Sequence, residues 1–183
     1  FAQELWRQAA AGGLDGAPPF PAPLGEYLPG STEQIRRPIE RFFEARDAPT
    51  ELRFAAESAS GDWPILYENT MGELGLSVAL GEWLGEDAKA LAYGWDGDRY
   101  VALRMPDGGV ALDFALAWDD AASADAFADA YERAAAVRPS RAVSVGRERV
   151  EGREIVRVRD VPAGSDPEAI PPRALTLIDG GDG

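Results

Sequence analysis

The 183-residue sequence contains no histidine and no cysteine. Without imidazole or thiolate it offers no zinc site of the usual ligand type, no Ser-His-Asp or Cys-His couple, no thiol redox chemistry and no disulfide framework. Lysine is scarce too: Lys89 is the only one, and every other basic residue is Arg. Any catalysis would have to come from carboxylates, hydroxyls, Arg or Lys89, and no cofactor is implied. Basic residues as a class are outnumbered, 18 against 32 acidic, for a net charge of −14. That charge repels phosphate backbones and anionic lipid surfaces, so we expect neither nucleic acid nor an anionic membrane as partner. No apolar run approaches the ~20 residues of a membrane-spanning helix.

What is present is ordinary for a folded chain: 45% hydrophobic and 27% charged residues. A chain of this size buries about 70% of the surface its unfolded form exposes, so it needs no disulfide or metal to fold. Three parts are expected, an arm over 1–50, a domain over 51–178 and a flexible tail over 179–183. The arm opens on a helical pattern, FAQELWRQAAA, halted by Gly12 and Gly13, and is expected to continue from an upstream domain. Pro18, Pro19, Pro21, Pro23 and Pro29 make an extended connector. Ser31 followed by Gln34 matches a capping box, and Pro38 must bend or end the helix that it opens, with IERFFEAR as a further turn.

Within the domain, WPILY (63–67) suits a buried strand, although Pro64 restricts it to an edge or a strand start. Thr70 with Glu73, or Asn69 as cap, opens a helix to about Leu84 with so broad an apolar face that cover on two sides is expected. Gly72, Gly75 and Gly81 in that helix each cost roughly 1 kcal/mol against Ala, which close backbone approach by a neighbour would offset. A short helix from Asp87 follows. Strands over 99–105 and 110–118 are joined by Pro106-Asp107-Gly108-Gly109, and Asp96-Gly97 suits another tight turn. Asp119 or Asp120 caps a helix to Val137. A hairpin over 142–161 turns at Glu151-Gly152 and carries a solvated face, and ALTLI is a last strand. The fold expected is α+β: a largely antiparallel sheet of hairpins packed against the helices at Thr70 and Ala121, with an extended and helical arm.

Four constellations bear on chemistry. Glu68, Asn69, Thr70 and Glu73 could hold a cation or act as an acid–base pair; helix capping is the plainer reading. Asp96, Asp98 and Asp107 resemble oxygen ligands for Ca²⁺ but lack the DxDxDG spacing, which favours turn chemistry. Trp63, Tyr67, Trp83, Tyr93, Trp95, Tyr100 and Trp118 either line a pocket or form core. Arg141, Arg147, Arg149, Arg153, Arg157 and Arg159, interspersed with Glu148, Glu151 and Glu154, either dock an acidic surface or form cross-strand ion pairs. The ligand-contacting candidates drawn from these sets are Trp95, Tyr100, Trp83, Trp118, Glu68 and Glu73.

The strings STEQIRRPIERF (31–42), ENTMGELGLSVALGEWL (68–84), AYGWDGDRYVAL (92–103) and LAWDDAASADAFADAY (116–131) resemble, in their order, the back half of a poorly characterised family of secreted or surface-attached prokaryotic proteins with a zinc-peptidase-like front half. The resemblance covers roughly Phe1 to Tyr131. Arg36-Arg37-Pro38 stands where that family has His-Pro, and the HExxH helix is missing. The resemblance implies that a zinc-binding half would precede Phe1, that no family catalytic residue falls on this chain, and that the protein is extracytoplasmic. The function expected is therefore a non-catalytic accessory domain, its partner the upstream catalytic-like domain. The alternative is a stand-alone binding module with an aromatic-lined groove for a peptide or small ligand, and a carboxylate hydrolase is a third reading.

Overall fold

A computed structural model describes residues 1–13, 27–45, 47–55 and 63–178. The prolines at 18, 19, 21 and 23 and the tail over 179–183 lie outside the described residues. The chain divides into two compact units, Phe1–Pro49 and Thr50–Gly183.

In the first unit, helix α1 (Ala2–Ala10) buries Leu5. Helix α2 (Thr32–Arg36) starts as its sequence suggests: the Ser31 hydroxyl accepts from the Gln34 N–H at 3.2 Å, and the Gln34 side chain accepts from the Gly30 N–H at 2.6 Å. Pro38 ends it, and a π-helical segment (Ile39–Glu44) follows. Phe1, Phe42 and Phe43 pack edge to face, with centroids 4.9 Å and 5.1 Å apart in successive pairs.

The second unit is α+β. Strands β2 (Ile65–Asn69), β3 (Trp95–Arg104), β4 (Val110–Trp118), β5 (Arg141–Val150) and β6 (Arg153–Pro162) form one sheet in the order β2-β3-β4-β6-β5. Every pairing in it is antiparallel. Strands β1 (Glu51–Phe54) and β7 (Leu175–Ile178) pair separately. Glu151 (φ 50°) and Gly152 (φ 89°) turn the β5–β6 hairpin in the left-handed geometry that a two-residue connection requires. The edge strand β2 lies where Pro64 allowed it, but it is largely exposed, not buried.

Side chains alternate across the large sheet, which gives it two covered faces. On one face, Tyr100, Leu112, Phe114, Leu116, Val156 and Val158 meet helices α3 (Gly72–Leu84) and α4 (Ala121–Ala136). On the other, Ala111, Ala115, Ala117, Val101 and Ile155 lie under β1, β7, Trp63 and Ile170. The hairpin β5–β6 therefore has no wholly solvated face. Arg157 sits beneath β1, its guanidinium 5.0 Å from the Phe54 ring centroid.

Several local expectations are corrected. Asp96-Gly97 is not a turn: β3 runs through it with a bulge, because Gly97 lets the chain at Thr50 cross close above. A Cβ at Gly97 would fall 2.0 Å from the Thr50 carbonyl oxygen. Helix α3 is capped neither by Thr70 nor by Asn69 but by Asp98, reaching across from β3 to accept from the N–H groups of Met71 (2.6 Å) and Gly72 (2.7 Å). Gly72 takes φ 73°, and Cβ atoms at Gly75 and Gly81 would meet side chains, those of Met71 and Lys89, and not a neighbouring backbone. Nor is the helix covered on two sides, since Leu74 and Val78 are about half exposed. Helix α4 is capped by Asp120, whose carboxylate accepts from the Ser123 N–H at 2.8 Å. Among the described residues, no helix is long and apolar enough to cross a membrane.

Candidate functional site

The two helices do not close completely on the sheet. Between them lies a cavity of about 180 Å³, roofed by Leu76, Ala79, Leu80 and Trp83 of α3 and by Phe127 and Tyr131 of α4. Leu112 and Phe114 of β4 form its floor. Trp83 and Tyr131 meet edge to face, 5.6 Å between centroids, and Tyr131 continues to Phe127 at 5.7 Å. The wall is apolar except at one end, where Arg138 and Asp160 enter it.

That end is built by α4 and β6. Arg138 lies just past the C-terminus of α4, and its Nε donates to the Ala134 carbonyl at 3.3 Å, a favourable place for a cation at the negative end of a helix. Its guanidinium carbon stands 4.4 Å from the Trp83 ring centroid and 5.3 Å from that of Tyr131. Nη1 donates to Asp160 Oδ2 at 3.0 Å. Arg141 completes the cluster from β5, its Nε donating to Asp160 Oδ1 at 2.5 Å and its Nη2 to the Asp160 and Val110 carbonyls. Arg138 Nη2 is buried with no hydrogen-bond partner. Burial pushes the Tyr131 phenol above its ordinary value, so it stays protonated at neutral pH.

The candidates from the sequence separate on the structure. Trp83 lines the cavity. Trp95 and Trp118 do not: both are core residues, Trp95 donating through Nε1 to Asp98 at 3.0 Å and Trp118 packed on Phe127 at 4.7 Å. Tyr100 is one ring away, edge to face with Phe114 at 5.9 Å and tilted against Tyr67 at 6.1 Å. Glu68 is paired with Arg99 at 2.8 Å, and Glu73 is fully buried on α3. The seven aromatic residues therefore do not form one groove.

The carboxylates of the turn set are engaged in capping and hydrogen bonding. Asp96 accepts from the Thr50 hydroxyl at 2.7 Å, Asp98 holds the start of α3, and Asp107 accepts from the Gly109 N–H at 2.8 Å in its own turn. Burial raises both Asp96 and Asp98 above the usual carboxylate range, against the hydrogen bonds that pull them down. A second hollow, about 260 Å³, lies along the β5–β6 hairpin. Within it Glu168 takes Arg159 at 2.5 Å and Ser144 at 2.6 Å, and Arg157 is engaged with Asp113.

Sequence reasoning missed Arg138, Arg141 and Asp160 as a unit and Tyr131 as a lining residue. The periodicity of α4 placed Tyr131 on the buried face, which was the available signal for it. Nothing in the spacing of Arg138 and Asp160, 22 residues apart, joins them before the β5–β6 register is known.

A family model described as Domain of unknown function (DUF8575) matches residues 65–166, more than half the chain, and every residue lining the cavity falls inside that span. No curated protein and no solved structure matches the chain.

Proposed function

The chain belongs to this family of unknown function, and we propose that its domain is a non-catalytic binding module that takes a small apolar ligand between α3, α4 and the sheet. The observation that carries this reading is the unfilled apolar cavity itself. Interiors normally pack without voids larger than a water molecule, and an unfilled cavity costs stability in proportion to its volume. One of about 180 Å³, walled largely by apolar side chains, is an opening where a ligand gains dispersion contacts and buried area. Glu68, Asp96 and Asp98, which the cation and acid–base readings relied on, are engaged in capping and pairing, which favours binding over chemistry.

The test is thermal melting of the full chain with benzamide, a neutral ring of suitable size, alone and in the Ala79→Phe variant. Binding to the folded state alone raises the melting temperature by mass action. We expect a rise that grows with benzamide concentration and disappears in Ala79→Phe, whose added ring occupies the cavity. A rise that survives the variant places binding elsewhere and overturns the reading.

The resemblance to the back half of zinc-peptidase-like proteins extends this proposal to context: the module serves as an accessory domain of an extracytoplasmic parent. Reading the parent gene upstream of the codon for Phe1 tests it, since a parent without HExxH removes the peptidase context and leaves the binding reading standing.

A further inference from the structure

We propose that the occupant of the cavity is a small apolar acid whose carboxylate lies against Arg138, an inference that rests on the binding reading above. The charge balance at the polar end points to this class. Two guanidinium groups, Arg138 and Arg141, face one carboxylate, Asp160. The C-terminus of α4 adds only about half a negative charge, so the end remains positive. No other lining residue is charged.

Each class of occupant meets that end differently. A neutral apolar molecule leaves the surplus positive charge at that end unanswered. A cation is repelled by the surplus positive charge. A carboxylate balances the charge, and a guanidinium fork is suited to bonding it. Stacking on Trp83 and the bonds to Asp160 and Ala134 hold the fork in place before the ligand arrives, which lowers the cost of ordering it. Size limits the rest of the molecule. An engineered cavity of about 150 Å³ in another protein holds benzene, so one of about 180 Å³ takes a single ring or a short branched chain, with the acid group at the Arg138 end.

The experiment is isothermal titration of the full chain at neutral pH with benzoate and benzamide, which share shape and differ in charge, and with benzylamine as the cationic counterpart. Expected is at least tenfold tighter binding of benzoate than of benzamide, with benzylamine the weakest. In Arg138→Met the benzoate preference falls to within twofold, and Arg138→Lys keeps part of it. Ala79→Phe abolishes binding of both benzoate and benzamide. Benzamide binding as tightly as benzoate in the unaltered protein overturns the acid class and leaves the cavity reading intact. Failure of both probes, or binding that persists in Ala79→Phe, overturns both. Should Arg138→Met fail to fold, the wild-type ratio and Arg138→Lys decide the matter.

Discussion

The two faces of the five-stranded sheet carry the same device and finish it differently. On each, an Arg–Asp pair anchored on β6 sits beside an aromatic ring: Arg157 with Asp113 beside Phe54 on one face, Arg138 with Asp160 beside Trp83 on the other. In the pair under β1 and β7 every guanidinium nitrogen is used. Arg157 donates Nε and Nη2 to Asp113 and Nη1 to the Arg173 carbonyl, while Asp113 is fully buried. In the pair under the helices one guanidinium nitrogen has no partner, a second cation is present and an apolar cavity adjoins. A saturated pair can only hold the face together. An unsaturated pair beside a void still has bonding capacity, and this difference is why we place the ligand on the helical face.

Breaking the closed pair should cost the most. Removing one partner of a buried ion pair strands the other and typically costs about 3–5 kcal/mol. Arg157→Met should lose that much in urea unfolding, because Asp113 has no exposure through which water could replace the guanidinium. The double variant Arg157→Met, Asp113→Leu should recover most of the loss, since replacing the whole pair with apolar groups is often neutral. A double variant no better than the single one would mean that the pair contributes more than mutual neutralisation.

Gly97→Ala attacks the same face from above. The new Cβ would overlap the Thr50 carbonyl oxygen, a backbone atom that cannot swing aside, so the approach of β1 to β3 must be lost. Overpacking of this kind costs about 1–3 kcal/mol, and a backbone clash belongs at the upper end. Hydrogen exchange should show β1 and β7 opening while the helical face stays protected. Uniform loss of protection would show that the two faces are one cooperative unit.

Asp98→Asn tests how the helical face is roofed. The amide offers one acceptor where the carboxylate serves three donors, from Met71, Gly72 and Trp95, so about 2 kcal/mol should be lost. The pH dependence has a definite sign. Burial raises the folded-state pKa of Asp98, so the folded state holds the proton more tightly than the unfolded one. Its contribution is fully present below about pH 4 and declines as pH rises through the raised value. The stability gap between wild type and Asp98→Asn should therefore be widest in acid and narrow on raising the pH. A gap that widens instead would show the hydrogen bonds outweighing burial.

The sequence shows the β3–β4 and β5–β6 hairpins, the caps at Ser31 and Asp120 and the α+β class, because each of these rests on contacts within a few residues. It hides what depends on register. The cap of α3 comes from Asp98, 26 residues downstream of Gly72, so local capping rules pointed to Thr70 instead. Gly97 reads as a turn residue by composition, whereas a strand crossing overhead is what requires it. The aromatic set contained one cavity residue, Trp83, together with two core residues, Trp95 and Trp118, since composition alone does not separate a lining ring from a buried one. The Arg138–Asp160–Arg141 cluster draws on a helix terminus and two strands and has no local signature.

The smallest effect should come from Arg138→Met, and its smallness is the point. Losing Arg138 leaves Asp160 paired with Arg141, whose Nε lies 2.5 Å from Oδ1 and whose Nη2 still reaches the Asp160 carbonyl. No carboxylate is stranded, so the penalty for an orphaned buried charge does not arise. One charge-assisted bond is lost, worth about 1.5–3 kcal/mol where it forms. Against that, the variant no longer buries a guanidinium donor without an acceptor, and the methionine chain can still pack on Trp83. The net loss should stay below about 1.5 kcal/mol, well short of that for Arg157→Met, in urea unfolding under the same conditions. A loss as large as that of Arg157→Met would make Arg138 a structural clamp like its counterpart, and the contrast between a closed and an open face would fail.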